Sequence, residues 1–142
     1  MTDHLARDIV LVEDDGNDLA VALRAFRRGQ LDGKVQVLRD GAAALEYLRD
    51  VTHGAGVVRP KVVFLDLKMP KVDGLSVLRE LRADERTRRI PVVVVSSSDR
   101  DNDVREAYRL GANSYLVKRF DPARPGGYLV DAARYWLDLN RP

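Results

Sequence analysis

Two apolar runs in this chain stop abruptly on acid. Ile9-Val10-Leu11-Val12 ends at Glu13-Asp14-Asp15, and Val62-Val63-Phe64-Leu65 ends at Asp66, which opens the turn Leu67-Lys68-Met69-Pro70-Lys71-Val72-Asp73-Gly74. A strand with no polar residue at alternate positions is covered on both faces, the condition of a parallel sheet held between helices. Such sheets bind ligands in the crevice beyond the carboxyl ends of their strands, so both runs deliver carboxylates to the ligand edge. Buried charge is costly unless compensated, so acids gathered in that crevice imply a cation, a shared proton or exposure to solvent.

Further β-branched runs alternate with amphipathic stretches, which predicts a (βα)5 order: five parallel strands, doubly wound, in a single domain. The strands fall at residues 8–13, 34–38, 62–65, 91–95 and 114–117, and their apolar character predicts cover on both faces throughout. Leu19, Leu23 and Phe26, with alanines between them, mark a helix over 17–28 that Gly29 stops. Asp40 caps the next helix, through Leu45 and Leu48, and a Gly-containing loop, Thr52-His53-Gly54-Ala55-Gly56, leads to Pro60. Leu75, Val77, Leu78 and Leu81 set a helix over 74–83. Asp99 or Asp101 caps the fourth helix, which runs through Val104, Ala107 and Leu110 to a Gly111 C-cap.

A chain of 142 residues has the size of one domain, with residues 1–7 as an amino-terminal tail before it. Its formal charge of +2, from 24 basic and 22 acidic side chains, is too small to argue for nucleic acid, and no basic stripe with interleaved aromatics occurs. The absence of cysteine excludes disulfides, Cys-ligated zinc and thiol catalysis. No apolar run approaches the roughly 18 residues of a membrane span, and no apolar h-region opens the chain, so a cytoplasmic location is expected.

Four strand ends therefore carry polar residues: Glu13 and Asp14, then Asp66, then Ser96, then Lys118. Any one alone is an ordinary strand end. Together, in this order and with these types, they resemble the receiver domain of two-component response regulators over residues 8–138. The motifs that carry the likeness are Val12-Glu13-Asp14, Leu65-Asp66 through Gly74, Pro91-Val92-Val93-Val94-Val95-Ser96-Ser97, and Gly111-Ala112-Asn113-Ser114-Tyr115-Leu116-Val117-Lys118.

The resemblance implies a flavodoxin-like receiver fold over residues 8–142, with an extended last helix and no output domain. It makes Asp66 the aspartate that accepts phosphate from a sensor histidine kinase. Glu13 and Asp14 match the acid pair that holds Mg²⁺, with Asp66 and the backbone carbonyl of Lys68 as further ligands. Lys118 and Ser96 match the groups that meet phosphoryl oxygens, and Ser96 with Tyr115 the switch pair. The chemistry is consistent with those types. Phosphoryl transfer needs positioning and charge neutralisation, and Mg²⁺ takes six oxygen ligands at about 2.0–2.1 Å while keeping several waters. Asp15, next to the acid pair, fits a helix cap or an outer role better than direct metal contact. Pro70 and Gly74 read as turn chemistry, with Gly74 letting the backbone bend around the site.

Two features depart from the family pattern. Arg119 stands where proline normally follows the lysine, so a trans or locally strained Lys118–Arg119 peptide is expected. Asp121-Pro122-Ala123-Arg124-Pro125-Gly126-Gly127 then delays the last helix. In that helix Tyr128, Leu129, Ala132, Tyr135, Trp136 and Leu139 form one predicted strip, and Val130, Ala133 and Leu137 a second, one for the sheet and one for a partner.

The Tyr135-Trp136-Leu137 run, the loop before Pro60 and the missing proline resemble the stand-alone regulators of phytochrome-type histidine kinases. That narrower likeness implies a bacteriophytochrome as kinase, a downstream protein target, and a homodimer through helix four, strand five and helix five, with Tyr135 and Trp136 at the interface. An enzyme using Asp66 as turnover nucleophile, as in haloacid-dehalogenase-like phosphatases, wants an acid two residues later, where Lys68 stands. A nucleotide-binding sheet would need a glycine-rich phosphate loop, and no strand is followed by one.

Overall fold

A computed structural model describes residues 7–53 and 59–142; residues 1–6 and 54–58, which include most of the tail and the Gly54-Ala55-Gly56 part of the loop before Pro60, lie outside the described residues. The strands are β1 (Ile9–Val12), β2 (Val35–Leu38), β3 (Val62–Asp66), β4 (Val92–Ser96) and β5 (Ser114–Val117). Between and after them run α1 (Gly16–Arg28), α2 (Gly41–Val51), α3 (Gly74–Ala83), α4 (Asp101–Arg109) and α5 (Gly127–Arg134). All strand pairings are parallel in the order β2-β1-β3-β4-β5, the doubly wound arrangement expected.

Strand alternation divides the core in two. Val10, Val12, Val63, Leu65, Val92 and Val94 point to the side covered by α2, α3 and α4, where Ala44, Leu48, Val77, Leu78, Leu81 and Ala107 meet them. Ile9, Leu11, Phe64, Val93 and Val95 point to the other side, against Leu19, Ala22 and Phe26 of α1 and Leu129, Val130 and Ala133 of α5. Phe26 and Phe64 are both fully buried, their rings tilted with centroids 6.2 Å apart. Burying a side chain of that size contributes about 1.5–3 kcal/mol, so this pair is a main tie between α1 and β3.

Cover on both faces holds for β1, β3 and β4, which are buried at every residue, but not for the edges. β2 is buried only at Val35, and β5 is half-buried throughout. An edge strand has a neighbour on one side only, and apolar composition cannot supply the other.

Aspartates cap three helices: Asp15 accepts from the amides of Asn17 and Asp18, Asp40 from Ala43 and Asp73 from Ser76. Each satisfies amides that a helix start leaves without partners. α4 departs from expectation. Neither Asp99 nor Asp101 caps it; the cap position is Arg100, without a side-chain bond of its own, and the Arg100 amide donates instead to Ser98 Oγ at 3.3 Å.

The last helix also differs from its predicted strips. Leu129, Val130 and Ala133 are buried, and Tyr128, Ala132, Trp136 and Leu137 pack beside them, so residues of both strips face the sheet. Tyr135 and Leu139 are left exposed. Beyond Arg134 the period also changes: residues Tyr135–Leu139 form a π-turn, closed by the Asn140 amide donating to the Tyr135 carbonyl at 2.7 Å. No helix among the described residues is long and apolar enough to cross a membrane.

Candidate functional site

The strand order reverses between β1 and β3, and the acids sit at that point. Pairing Val12 with Leu65 in register brings the next residues, Glu13 and Asp66, out side by side at the carboxyl edge. Glu13 and Asp66 are each only 5% exposed, which makes them the two buried acids of the described chain. One carboxylate oxygen from each of Glu13, Asp14 and Asp66 lies within 4.8 Å of the others. Three oxygens at such spacing suit a hard divalent cation. Two local bonds hold the set: the Asp15 amide donates to Glu13 Oε2 at 3.1 Å, and the Lys68 amide to Asp66 Oδ1 at 3.2 Å.

Lys118 enters from the far side. Its backbone amide donates to the Ser96 carbonyl at 2.7 Å, extending the β4–β5 ladder by one bond and aiming the ammonium back across the strand ends. Nζ donates to Asp18 Oδ2 at 2.7 Å and to Glu13 Oε1 at 3.0 Å, and stands 3.6 Å from Asp66 Oδ2. The Lys118–Arg119 peptide is trans. Beside Lys118 a cavity of about 260 Å³ opens between α1 and the loop leading to α5, with Val21, Phe64, Val95 and Tyr128 in its wall.

The electrostatics show a surplus of negative charge. Burial pushes the Glu13 carboxyl up to about 7; the adjoining Asp66 carboxyl adds to the rise, and the Asp15 amide and Lys118 only partly oppose it. Burial alone would depress the Lys118 ammonium, yet hydrogen bonds to Asp18 and Glu13, with the charge of Asp66, hold it above the usual lysine value. One ammonium does not neutralise this many carboxylates. The residues present therefore fit a divalent cation by both spacing and charge.

Ser96 is 1% exposed, and its hydroxyl accepts from the Ser98 amide at 3.1 Å. Ser98 in turn donates its hydroxyl to Asp103 on α4, and its carbonyl accepts from the Tyr115 hydroxyl at 2.8 Å. A chain of bonds thus joins Ser96 to Tyr115 through the β4–α4 loop. Tyr135 and Trp136 lie elsewhere, on the last helical turns, edge to face with centroids 5.1 Å apart. Trp136 packs against the core while Tyr135 is 47% exposed.

Gly74 serves differently from the expectation. The left-handed residue of the turn is Lys71, at φ 67°, whereas a Cβ on Gly74 would collide with the Asp66 carbonyl and the Leu67 Cα. Glycine at 74 lets the start of α3 lie directly against the backbone of Asp66 and Leu67. Asp18, and the bond from Ser98 to Asp103, were not foreseen from the sequence. Asp18 carried one available signal, an acid in the first turn of a helix that follows an acidic strand end.

Residues 9–125 match the model of the response regulator receiver domain. The chain is 44% identical over 133 residues, 94% of its own length and 85% of the relative's, to the probable methanogenesis regulatory protein FilR2 of Methanothrix harundinacea. It is 37% identical over 110 residues, 78% of its length and 75% of the relative's, to the response regulator Rcp1 of a Synechocystis strain. The Mn²⁺-bound crystal structure of Rcp1 superposes with a TM-score of 0.79, covering 95% of this chain and 97% of that one at 32% identity. The phosphorylated cyanobacterial phytochrome response regulator RcpA superposes with a TM-score of 0.81, covering 95% and 96% of the two chains at 34% identity. The crevice of acids at the β1–β3 reversal, the strand order and these likenesses agree, and the chain belongs to the response regulator receiver family of two-component signalling.

Proposed function

We propose that the protein accepts a phosphoryl group on Asp66 from the phosphohistidine of a sensor histidine kinase and passes the signal on by protein contact. The observation that carries this reading is the convergence of Glu13, Asp14, Asp66 and Lys118 at one sheet edge, where Lys118 is, among the described residues, the one cation within 4.0 Å of the Glu13 and Asp66 carboxylates. An Asp66 oxygen forms the new bond to phosphorus as the bond from phosphorus to the histidine nitrogen breaks, and the imidazole leaves with the electron pair. Donor and acceptor are both anionic, so the reaction depends on cations held in place beforehand. Glu13, Asp14, Asp66 and the Lys68 carbonyl would hold magnesium, which supplies charge neutralisation and a template for the phosphoryl oxygens. Lys118 supplies a point charge to another oxygen, and Ser96 a hydroxyl.

The likeness to Rcp1 and RcpA supports a phytochrome-type kinase as the donor, and the metal in the Rcp1 structure supports a divalent cation here. Residues 8–142 act as one receiver unit in this reading, in the cytoplasm where a kinase can reach it. Its homodimer uses the face of α4, β5 and α5, where β5 is a half-buried edge strand and Tyr108, Tyr135 and Leu139 are exposed. The test is incubation with Mg²⁺ and acetyl phosphate followed by intact mass measurement. The parent gains one phosphoryl group and Asp66→Asn gains none; a gain that survives Asp66→Asn removes Asp66 as the acceptor.

A further inference from the structure

We infer that Asp18 is a positioning residue that holds the Lys118 ammonium away from Asp66 until a phosphoryl group claims it. The inference rests on the reading of Asp66 as acceptor and of Glu13, Asp14 and Asp66 as the metal-holding set. Of the three carboxylates around Lys118, Asp18 is the nearest at 2.7 Å, Glu13 follows at 3.0 Å, and Asp66 is beyond hydrogen-bond reach at 3.6 Å. An ammonium has three donors, and two are committed on the side of α1 and β1. The residue that must stabilise charge on Asp66 therefore makes its shortest bond elsewhere.

The placement is built from the backbone up. Asp15 caps α1 through the amides of Asn17 and Asp18, which fixes the first turn of the helix and the direction in which Asp18 leaves it. On the other partner, the Lys118 amide is pinned to Ser96, so only the flexible stem of the lysine can move. The cavity beside it gives that stem room. The Asp18 side chain is 46% exposed, so its pair with Lys118 is a weak one that a phosphoryl dianion can outbid.

The arrangement has two consequences. While Asp18 holds Lys118, the ammonium competes less with a divalent cation for Glu13 and Asp66, and the metal set stays open. Once Asp66 carries a phosphoryl group, Lys118 must leave Asp18 to reach it, so Asp18 weakens the phosphorylated state. Asp18 thus favours metal loading and opposes the final ion pair.

A double-mutant cycle on the full chain tests this, with Mg²⁺ titrated calorimetrically into the parent, Asp18→Asn, Lys118→Met and the double variant. Asp18→Asn is expected to weaken Mg²⁺ by roughly 2- to 5-fold in the parent, and by clearly less when Lys118 is Met. At saturating Mg²⁺, Asp18→Asn is expected to bind trifluoroberyllate, a phosphoryl mimic, more tightly by a similar factor, and Asp18→Glu to return to the parent value. Equal loss of Mg²⁺ affinity in both lysine backgrounds, or no loss, overturns the inference, because Asp18 would then act by bulk charge alone or not at all. A tightening shared by Asp18→Asn and Asp18→Glu overturns it as well. Trifluoroberyllate binding that survives Asp66→Asn would instead sink the acceptor reading, a result separate from any behaviour of Asp18.

Discussion

Each edge of the sheet holds a partly buried cation, and the two are treated in opposite ways. At the amino edge, Arg82 of α3 donates to the carbonyls of Gly111, Arg88 and Ile90 and to Asn113 Oδ1, at 2.8–3.0 Å. Asn113 Oδ1 also accepts from the Val92 amide, so one guanidinium ties α3 to the starts of β4 and β5. Every acceptor is neutral, and no rival donor is needed. At the carboxyl edge, Lys118 is shared among carboxylates that outnumber it, and those carboxylates are also the ones suited to metal and phosphate. A planar fork on neutral carbonyls makes a fixed joint, whereas a point charge on contested acids makes an exchangeable one. Burial lowers the guanidinium of Arg82 below its usual value, while Lys118, surrounded by acids, is held above its own.

The largest expected effect tests the fixed joint. Arg82→Met keeps the apolar stem but leaves several carbonyls without a donor, and should cost about 3 kcal/mol in urea unfolding, with or without Mg²⁺. Lys118→Met should cost the metal-free protein less, about 1–2 kcal/mol, and Mg²⁺ should restore much of that loss by binding the folded state. If Mg²⁺ rescued both variants or neither, the contrast between the edges would collapse.

The next effect concerns pH. The Glu13 carboxyl lies near 7 in the folded protein against an ordinary 4.5, so the folded state binds that proton more tightly than the unfolded one. Its contribution to metal-free stability is therefore complete below about 4.5 and is lost as the pH rises through about 7. Mg²⁺ binding should release a proton below pH 7, and its apparent affinity should climb up to that point and then level off. Calorimetry in buffers of different ionisation enthalpy counts the proton. An affinity flat from pH 5 to 8 would place the metal away from Glu13. The smallest effect belongs to Tyr115→Phe, which removes only the bond to the Ser98 carbonyl and should cost about 1 kcal/mol, with the amides of the β4–α4 loop exchanging faster.

The same contrast explains what could be read from the sequence. Strands β1, β3 and β4 were legible because each is an unbroken apolar run buried on both sides, a pattern that local composition writes directly. Their ends were legible to within a residue: Asp66 and Ser96 belong to the ladder, paired with Val95 and Val117, rather than lying just beyond it. The caps were legible where Asp stands at the boundary, as at Asp40, and failed at α4, where Ser98 is drawn into bonds with Asp103 and the Arg100 amide. For Asp18 the sequence held only its place in the first turn of α1, not its role. Its partner is 100 positions away, and nothing local in either segment records the meeting. The π-turn was hidden because Tyr135-Trp136-Leu137-Asp138-Leu139 satisfies a regular helical period equally well on paper.

That turn behaves as a phase shifter. A π-turn accommodates one more residue than the α-helix it interrupts, and each residue of an α-helix advances the azimuth by about 100°. The five-residue turn therefore rotates everything after it relative to the core-facing stripe of Leu129, Val130 and Ala133, and Leu139, 76% exposed, stands in the rotated part. Deleting a single residue within 135–139 would restore the regular period and swing Leu139 by about that angle, resetting an exposed apolar surface without altering one side chain of the sheet.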